Sequence, residues 1–206
     1  MSQLQVYSTC PCGSGKQFKF CCHKSYKETG FIEPSPACHM LPVVGCKILK
    51  KWQEHGMSHV FVSRKYAEGL YILVGYLVDF WCLGVKDVLM KIEVTPREWE
   101  HFEGLLKENK NGPLVDVSYQ DARSLILGAI DYAQSIGLPG YPNWAKLTSL
   151  FIEGNLPYEK KFTFGKDGVP FYMMGPHDRE EYDINEIVSK VNQASGEYIL
   201  EMVSWS

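Results

Sequence analysis

The sequence predicts an α+β protein: a small cysteine-rich N-terminal head, then one domain whose mostly antiparallel sheet is packed by four or five helices. Three observations point there. Four of the seven cysteines fall within residues 10–22. Strand-like and amphipathic helical runs then follow one another without a strict βαβ rhythm. Finally, 206 residues at 45% hydrophobic and 13% aromatic suffice for a core that needs no staples.

Taken in order, residues 1–29 form the head and residues 30–42 a linker, because Pro34, Pro36 and Pro42 rule out a helix through it. The body spans residues 43–206. Val44, Ile48, Leu49 and Trp52 share one helical face, with Gly56 as C-cap. His59 to Lys65 alternates like a strand, Ala67-Glu68-Gly69 turns, and Leu70 to Phe80 is an apolar second strand buried on both faces.

Thr95-Pro96-Arg97-Glu98 is a capping box that opens a helix with Trp99, Phe102, Leu105 and Leu106 inward. Ser118 and Asp121 open another, with Ala122, Leu125, Ile126, Ala129, Ile130, Ala133 and Ile136 on one face and Gly137 as its stop. A shorter helix runs from about Trp144 to Glu153. Lys161–Phe164 and Val169–Met174 are expected to pair as a hairpin across Gly165-Lys166-Asp167-Gly168. Asp183 and Glu186 cap a last helix, and Glu197 to Val203 alternates like an edge strand.

Charge and hydropathy exclude several classes. No apolar run reaches the roughly 18 residues of a membrane span; Leu70–Val85 is broken by Gly75, Asp79 and Gly84. Met1–Thr9 has neither the basic residues nor the apolar stretch of a leader. A cytoplasmic protein is therefore expected, and in that reduced compartment clustered thiols usually mean metal. The net charge of −3 is uneven: residues 1–32 carry Lys16, Lys19, Lys24 and Lys27 against Glu28, a balance of +3 that leaves −6 for the rest. The acidic body argues against DNA, whereas the basic head suits an anionic partner.

The chemistry sits in Cys10-Pro11-Cys12-Gly13-Ser14-Gly15-Lys16-Gln17-Phe18-Lys19-Phe20-Cys21-Cys22-His23. Zinc takes four tetrahedral thiolate or imidazole ligands. A Cys-x-Cys pair approaches from one turn, and eight residues later the adjacent pair closes the other side. Gly13 and Gly15 let the loop fold back, while Phe18 and Phe20 can cover the metal as a small apolar lid. A segment this short buries too little surface to fold unaided, so metal supplies most of its stability. His23 can take the place of Cys22 if the loop closes differently.

These residues resemble the SEC-C motif, the zinc-binding tail of the SecA preprotein translocase that is also appended to assorted bacterial proteins. The likeness covers Cys10 to about Lys24, including Cys-Gly-Ser-Gly-Lys. It implies Cys10, Cys12, Cys21 and Cys22 as ligands of one structural zinc with no open position. In the translocase such a tail docks an export chaperone, ribosomes and anionic lipid. By analogy this head is a docking module, here N-terminal and without any motor. The body blocks YLVDFWCLGVKD, LGAIDYAQSIG and FTFGKDGVPFYMMGPHD are similar to a group of bacterial proteins, a likeness that brings no activity with it.

Within the body, Asp79, Lys86 and Asp87 interrupt a very apolar run that includes Cys82. A buried carboxylate beside a lysine is how enzymes tune acid–base groups, and two carboxylates can hold a divalent metal. With His177 they are the candidates for a small hydrolase or nuclease. The simpler alternative has Asp79 pairing with Lys86 or capping the next turn, with Gly84 making that turn. His55 and His59 straddle Gly56 and so do not share a helix face. Cys38-His39 lacks partners for a metal, and His177-Asp178 follows Gly175-Pro176, where a turn satisfies a histidine locally. Two functions compete: a zinc head for docking with a body that binds protein or RNA, and the hydrolase.

Overall fold

The computed structural model describes residues 5–29, 32, 35, 38–67, 69–106, 112–138, 140, 151–154, 156–175, 178–195 and 200–202. In the head, a single 3-10 turn (Phe18–Phe20) leads into α1 (His23–Thr29). A five-stranded antiparallel sheet follows, in the order β4-β3-β2-β1-β5, formed by β1 (Val43–Leu49), β2 (Met57–Ala67), β3 (Leu70–Asp79), β4 (Gly84–Val94) and β5 (Leu114–Val117). The α+β class is as expected.

Residues 43–49 are a strand rather than the expected helix. Val44, Ile48 and Leu49 do fall at helical spacing, but Cys46 and Ile48 turn inward while Lys47 turns outward, a period of two. The β-branched Val43, Val44 and Ile48 favour that pleat, and Ile48 stands between Val60 and Val115 on the flanking strands. The helical signal survives only as one turn, α2 (Trp52–His55), which Gly56 closes as expected in left-handed conformation at φ 67°. A Cβ on Gly56 would lie 2.1 Å from the Trp81 ring. Gly56→Ala is therefore expected to cost about 2–3 kcal/mol, from backbone strain and ring displacement together, read as a lower urea midpoint with unchanged m-value.

Strand β4 was illegible because two β-bulges break its alternation. Val78 pairs Val85 and Leu77 pairs Asp87, so Lys86 is the extra residue; a second irregularity lies between Lys91 and Val94, where Glu93 has φ 56°. The first bulge buries Lys86 directly after Val85, and the second turns Val94 onto the opposite face of the sheet. Short β5 was also not anticipated.

Helix α3 (Pro96–Leu106) starts at the expected capping box: Thr95 N–H donates to Glu98 Oε2 at 2.8 Å and Glu98 N–H to Thr95 Oγ1 at 3.3 Å. Trp99 and Phe102 pack on Phe61, Leu73 and Val94 of the outer sheet face, whereas Leu105 is 65% exposed, contrary to expectation. Helix α4 (Tyr119–Ser135), capped by Ser118 Oγ, covers the other face with Ala122, Leu125, Ile126 and Ala129 against Ile48, Val60, Val62, Val74 and Tyr76. The expected helix near Trp144 lies mostly outside the described residues.

The expected hairpin at 161–174 reduces to its turn. Lys166 and Val169 exchange two backbone hydrogen bonds around Asp167-Gly168, yet Gly165 N–H goes to Phe80 O and Phe171 N–H to Trp81 O. β6 (Tyr172–Met174) then pairs in parallel with β7 (Leu200–Met202). Between them, α5 (Asp178–Glu181) precedes α6 (Ile184–Ser195), whose start Asp183 caps through Oδ1. Ile187 and Val191 join Cys82, Leu83, Ala133 and Tyr172 in a second small core.

Two buried arginines hold the segment before this unit. Arg64 directs donors at Phe151 O twice, at His39 O, at Leu41 O and at the Tyr119 hydroxyl. Arg123 donates to Ile152, Glu153, Leu156 and Pro157 carbonyls.

Candidate metal centre

The head is a knuckle between two short extended arms. Thr9 bridges Gln17, Phe18 N–H donates to Ser8 O at 2.8 Å, and Cys10 N–H donates to Lys16 O at 2.7 Å. Between the arms the chain reverses through Gly13 and Gly15, both at positive φ, which aims Cys10 and Cys12 the same way. The Phe18–Phe20 turn returns Cys21 and Cys22 to face them.

The four Sγ atoms all lie within 4.8 Å of one another. Cys12 and Cys21 are 3.5 Å apart, Cys21 and Cys22 3.7 Å. A tetrahedron of zinc–sulfur bonds of about 2.3 Å has edges of about 3.8 Å, whereas a disulfide requires about 2.05 Å. The spacing therefore fits four ligands of one ion, and all four cysteines are free. Ser14 Oγ, 3.3 Å from Cys21 Sγ, adds a hydroxyl to the sulfur cluster. The Cys10 hydrogen bond brings Cys12 down to about 4, the same contact together with burial raises Cys10, and burial pushes Cys22 up to about 12.

His23 does not join the four clustered cysteines; its ring meets Phe18 edge-on at 5.3 Å. Only half of the expected lid forms. Phe18 is buried beneath the cysteines, while Phe20 is 70% exposed, beside Lys19. Lys16, Lys24 and Lys27 are exposed as well.

The cluster is seated on the body. Ser35 N–H donates to Cys12 O at 2.7 Å, and Ile32 and Ile92 pack with Cys10, Cys12 and Phe18. A Cβ on Gly13 would stand 2.7 Å from Cys38 Cα, so backbone lies directly on backbone there. No protein-family model, curated protein or solved structure matches this chain.

The body candidates divide. Asp79 and Lys86 both enter the interior, 1% and 6% exposed. Asp79 Oδ1 accepts the Trp81 and Cys82 N–H groups at 2.9 and 3.0 Å, capping the turn into β4. Lys86 Nζ instead meets Asp178 Oδ1 at 2.6 Å, and Asp178 Oδ2 accepts Tyr172 O–H and Gly175 N–H. The bulge at Lys86 turns Asp87 outward, where its Oδ1 accepts the neighbouring Val88 N–H at 2.7 Å. His177 lies outside the described residues. Sequence reading missed Asp178 as the partner of Lys86, and Tyr172 as the donor to Asp178, because Asp178 arrives from 92 residues away.

Among the described residues, Asp79 Oδ2 is buried with no hydrogen-bond partner. Burial raises this carboxyl from 3.8 to about 6, with the Lys86 charge and the backbone donors pulling the other way. The folded state therefore holds this proton more tightly than the unfolded chain, and the contribution to stability falls as pH rises from about 4 to about 6, by about 3 kcal/mol in all. Urea unfolding across that window should show this decline in the native protein and lose it in Asp79→Asn.

Proposed function

We propose that Cys10, Cys12, Cys21 and Cys22 hold one structural zinc ion, and that the head so ordered (residues 1–29, followed by a linker over 30–42) docks the chain onto RNA, free or ribosomal, in the cytoplasm. The observation that carries this reading is the convergence of four sulfurs within 4.8 Å. With all four positions filled by protein, the ion has a structural role.

The docking part draws on the surface beside the site. Tyr7 and Phe20 are 63% and 70% exposed, and Lys19 lies between them, its Nζ 2.7 Å from Tyr7 Oη. Exposed rings beside ammonium groups are what unpaired bases and phosphates take up. The body, residues 43–206, serves in this reading as the partner-binding scaffold. A hydrolase built on Asp79, Lys86 and Asp87 gains no comparable support: two are sealed in the interior and the third faces away.

The test is metal analysis combined with capture from lysate. Protein never exposed to chelator should carry one zinc per chain. It should retain RNA that nuclease removes, and the pair Lys19→Ala with Phe20→Ala should keep the zinc but lose most of the RNA. A zinc tally near zero would refute the head assignment, while capture indifferent to nuclease would refute RNA as partner.

A further inference from the structure

On the outer face of the sheet, beside α3 and away from the cysteines, lies a cleft of about 320 Å³. Phe61, Tyr71 and Trp99 wall it, Gly45 opens its floor, and Glu100 and Asp116 stand at its rim. Its volume is at the lower end of the roughly 300–1,000 Å³ typical of ligand sites, room for one ring with a small substituent. A Cβ on Gly45 would find only Ser63 Oγ, at 3.9 Å, so the space exists because that position has no side chain.

The charge of the rim selects the ligand. Lys47 is the one cation among the described lining residues, and it is already engaged, 2.7 Å from Asp116 Oδ1 and 3.3 Å from Glu103 Oε1. Lys47, Glu100, Glu103 and Asp116 together carry −2. An anion would meet uncompensated carboxylates. A cation would gain both from them and from the negative faces of the aromatic walls. We propose that this cleft binds an organic cation of single-ring size. This assignment is independent of the zinc reading.

Three ligands sharing one ring test it on the full-length protein: benzyltrimethylammonium, benzyl alcohol and benzoate, followed by NMR shifts at Gly45, Ser63 and the Trp99 indole. The ammonium should bind about fivefold or more tighter than the alcohol, and benzoate should not bind. Glu100→Gln with Asp116→Asn should shrink the ammonium's advantage over the alcohol to the part the aromatic walls supply, and Gly45→Leu should abolish both. The two rim substitutions are on the surface, so they decide the matter even if Gly45→Leu fails to fold. Benzoate binding as tightly as the ammonium, a cation preference undiminished by loss of the rim charges, or no shifts with any ligand at millimolar concentration would each overturn the proposal.

Discussion

With the proposed ion in the four-cysteine cluster, chelation of the intact protein is expected to make Cys38 react with alkylating agents, although it is not one of the four clustered cysteines. In the structure Cys38 is fully buried, packed in the main core with the Gly13 backbone laid across it. Among the described residues, what keeps that backbone in place is slight: the Ser35–Cys12 hydrogen bond and a cluster of four buried residues, two of them cysteines of the candidate site, with Tyr26 and Ile92 packed on it. Such a cluster cannot offset the entropy of ordering some twenty residues unless the ion contributes its binding energy. Mass spectrometry after chelation at neutral pH should find Cys10, Cys12, Cys21 and Cys22 labelled, and Cys38 labelled about tenfold faster or more than before. Cys46 and Cys82, held by the sheet and the second core, should stay protected. Unchanged labelling of Cys38 would show that the head is not held on the body by its metal.

The second large effect is expected at Arg64. A guanidinium has five N–H donors, and here every one is spoken for by Phe151, His39, Leu41 and Tyr119 within an almost fully buried site. Arg64→Met would take the guanidinium donors from three backbone carbonyls and leave Phe151 O with the weaker Tyr119 O–H at 3.4 Å, at a cost of about 4 kcal/mol. For a chain of this size that is a fall in melting temperature of about 10 °C. Arg64→Lys should recover little, since an ammonium has three donors and cannot fork. A melting temperature within a degree or two of the native protein would mean that the clamp is not a stabilising feature. Asp116→Asn, at an 84% exposed side chain, is the control and should be nearly neutral.

What could be read from the sequence was local. Thr95 with Glu98, Ser118 with Asp121, and Asp183 are caps whose donors and acceptors lie within one turn, and all three bind as their spacing implies. Ala122 to Ala133 announces a buried helix face in one unbroken pattern. The cysteine spacing likewise contains its own geometry, because both halves of the cluster lie within thirteen residues. What could not be read was set by distant chain. Residues 43–49 offer a helical and a strand pattern at once, and only the flanking strands decide between them. Lys86 looks like the partner of Asp79 until Asp178 arrives beside it. Arg64 sits in a strand otherwise facing an apolar core, and nothing near it in sequence reveals the carbonyls it serves.

The irregular outer strand has a further consequence. Among the described residues the sheet ends at β4 on one side and β5 on the other. An unfinished rim is an invitation for a foreign chain to zip on and continue the ladder. Here one rim is kinked twice and carries an exposed lysine at position 91, and the other is only four residues long, so neither offers a straight template. Fibre-like stacking of copies and capture of extended peptides are both discouraged, and recognition by this molecule falls to its side chains.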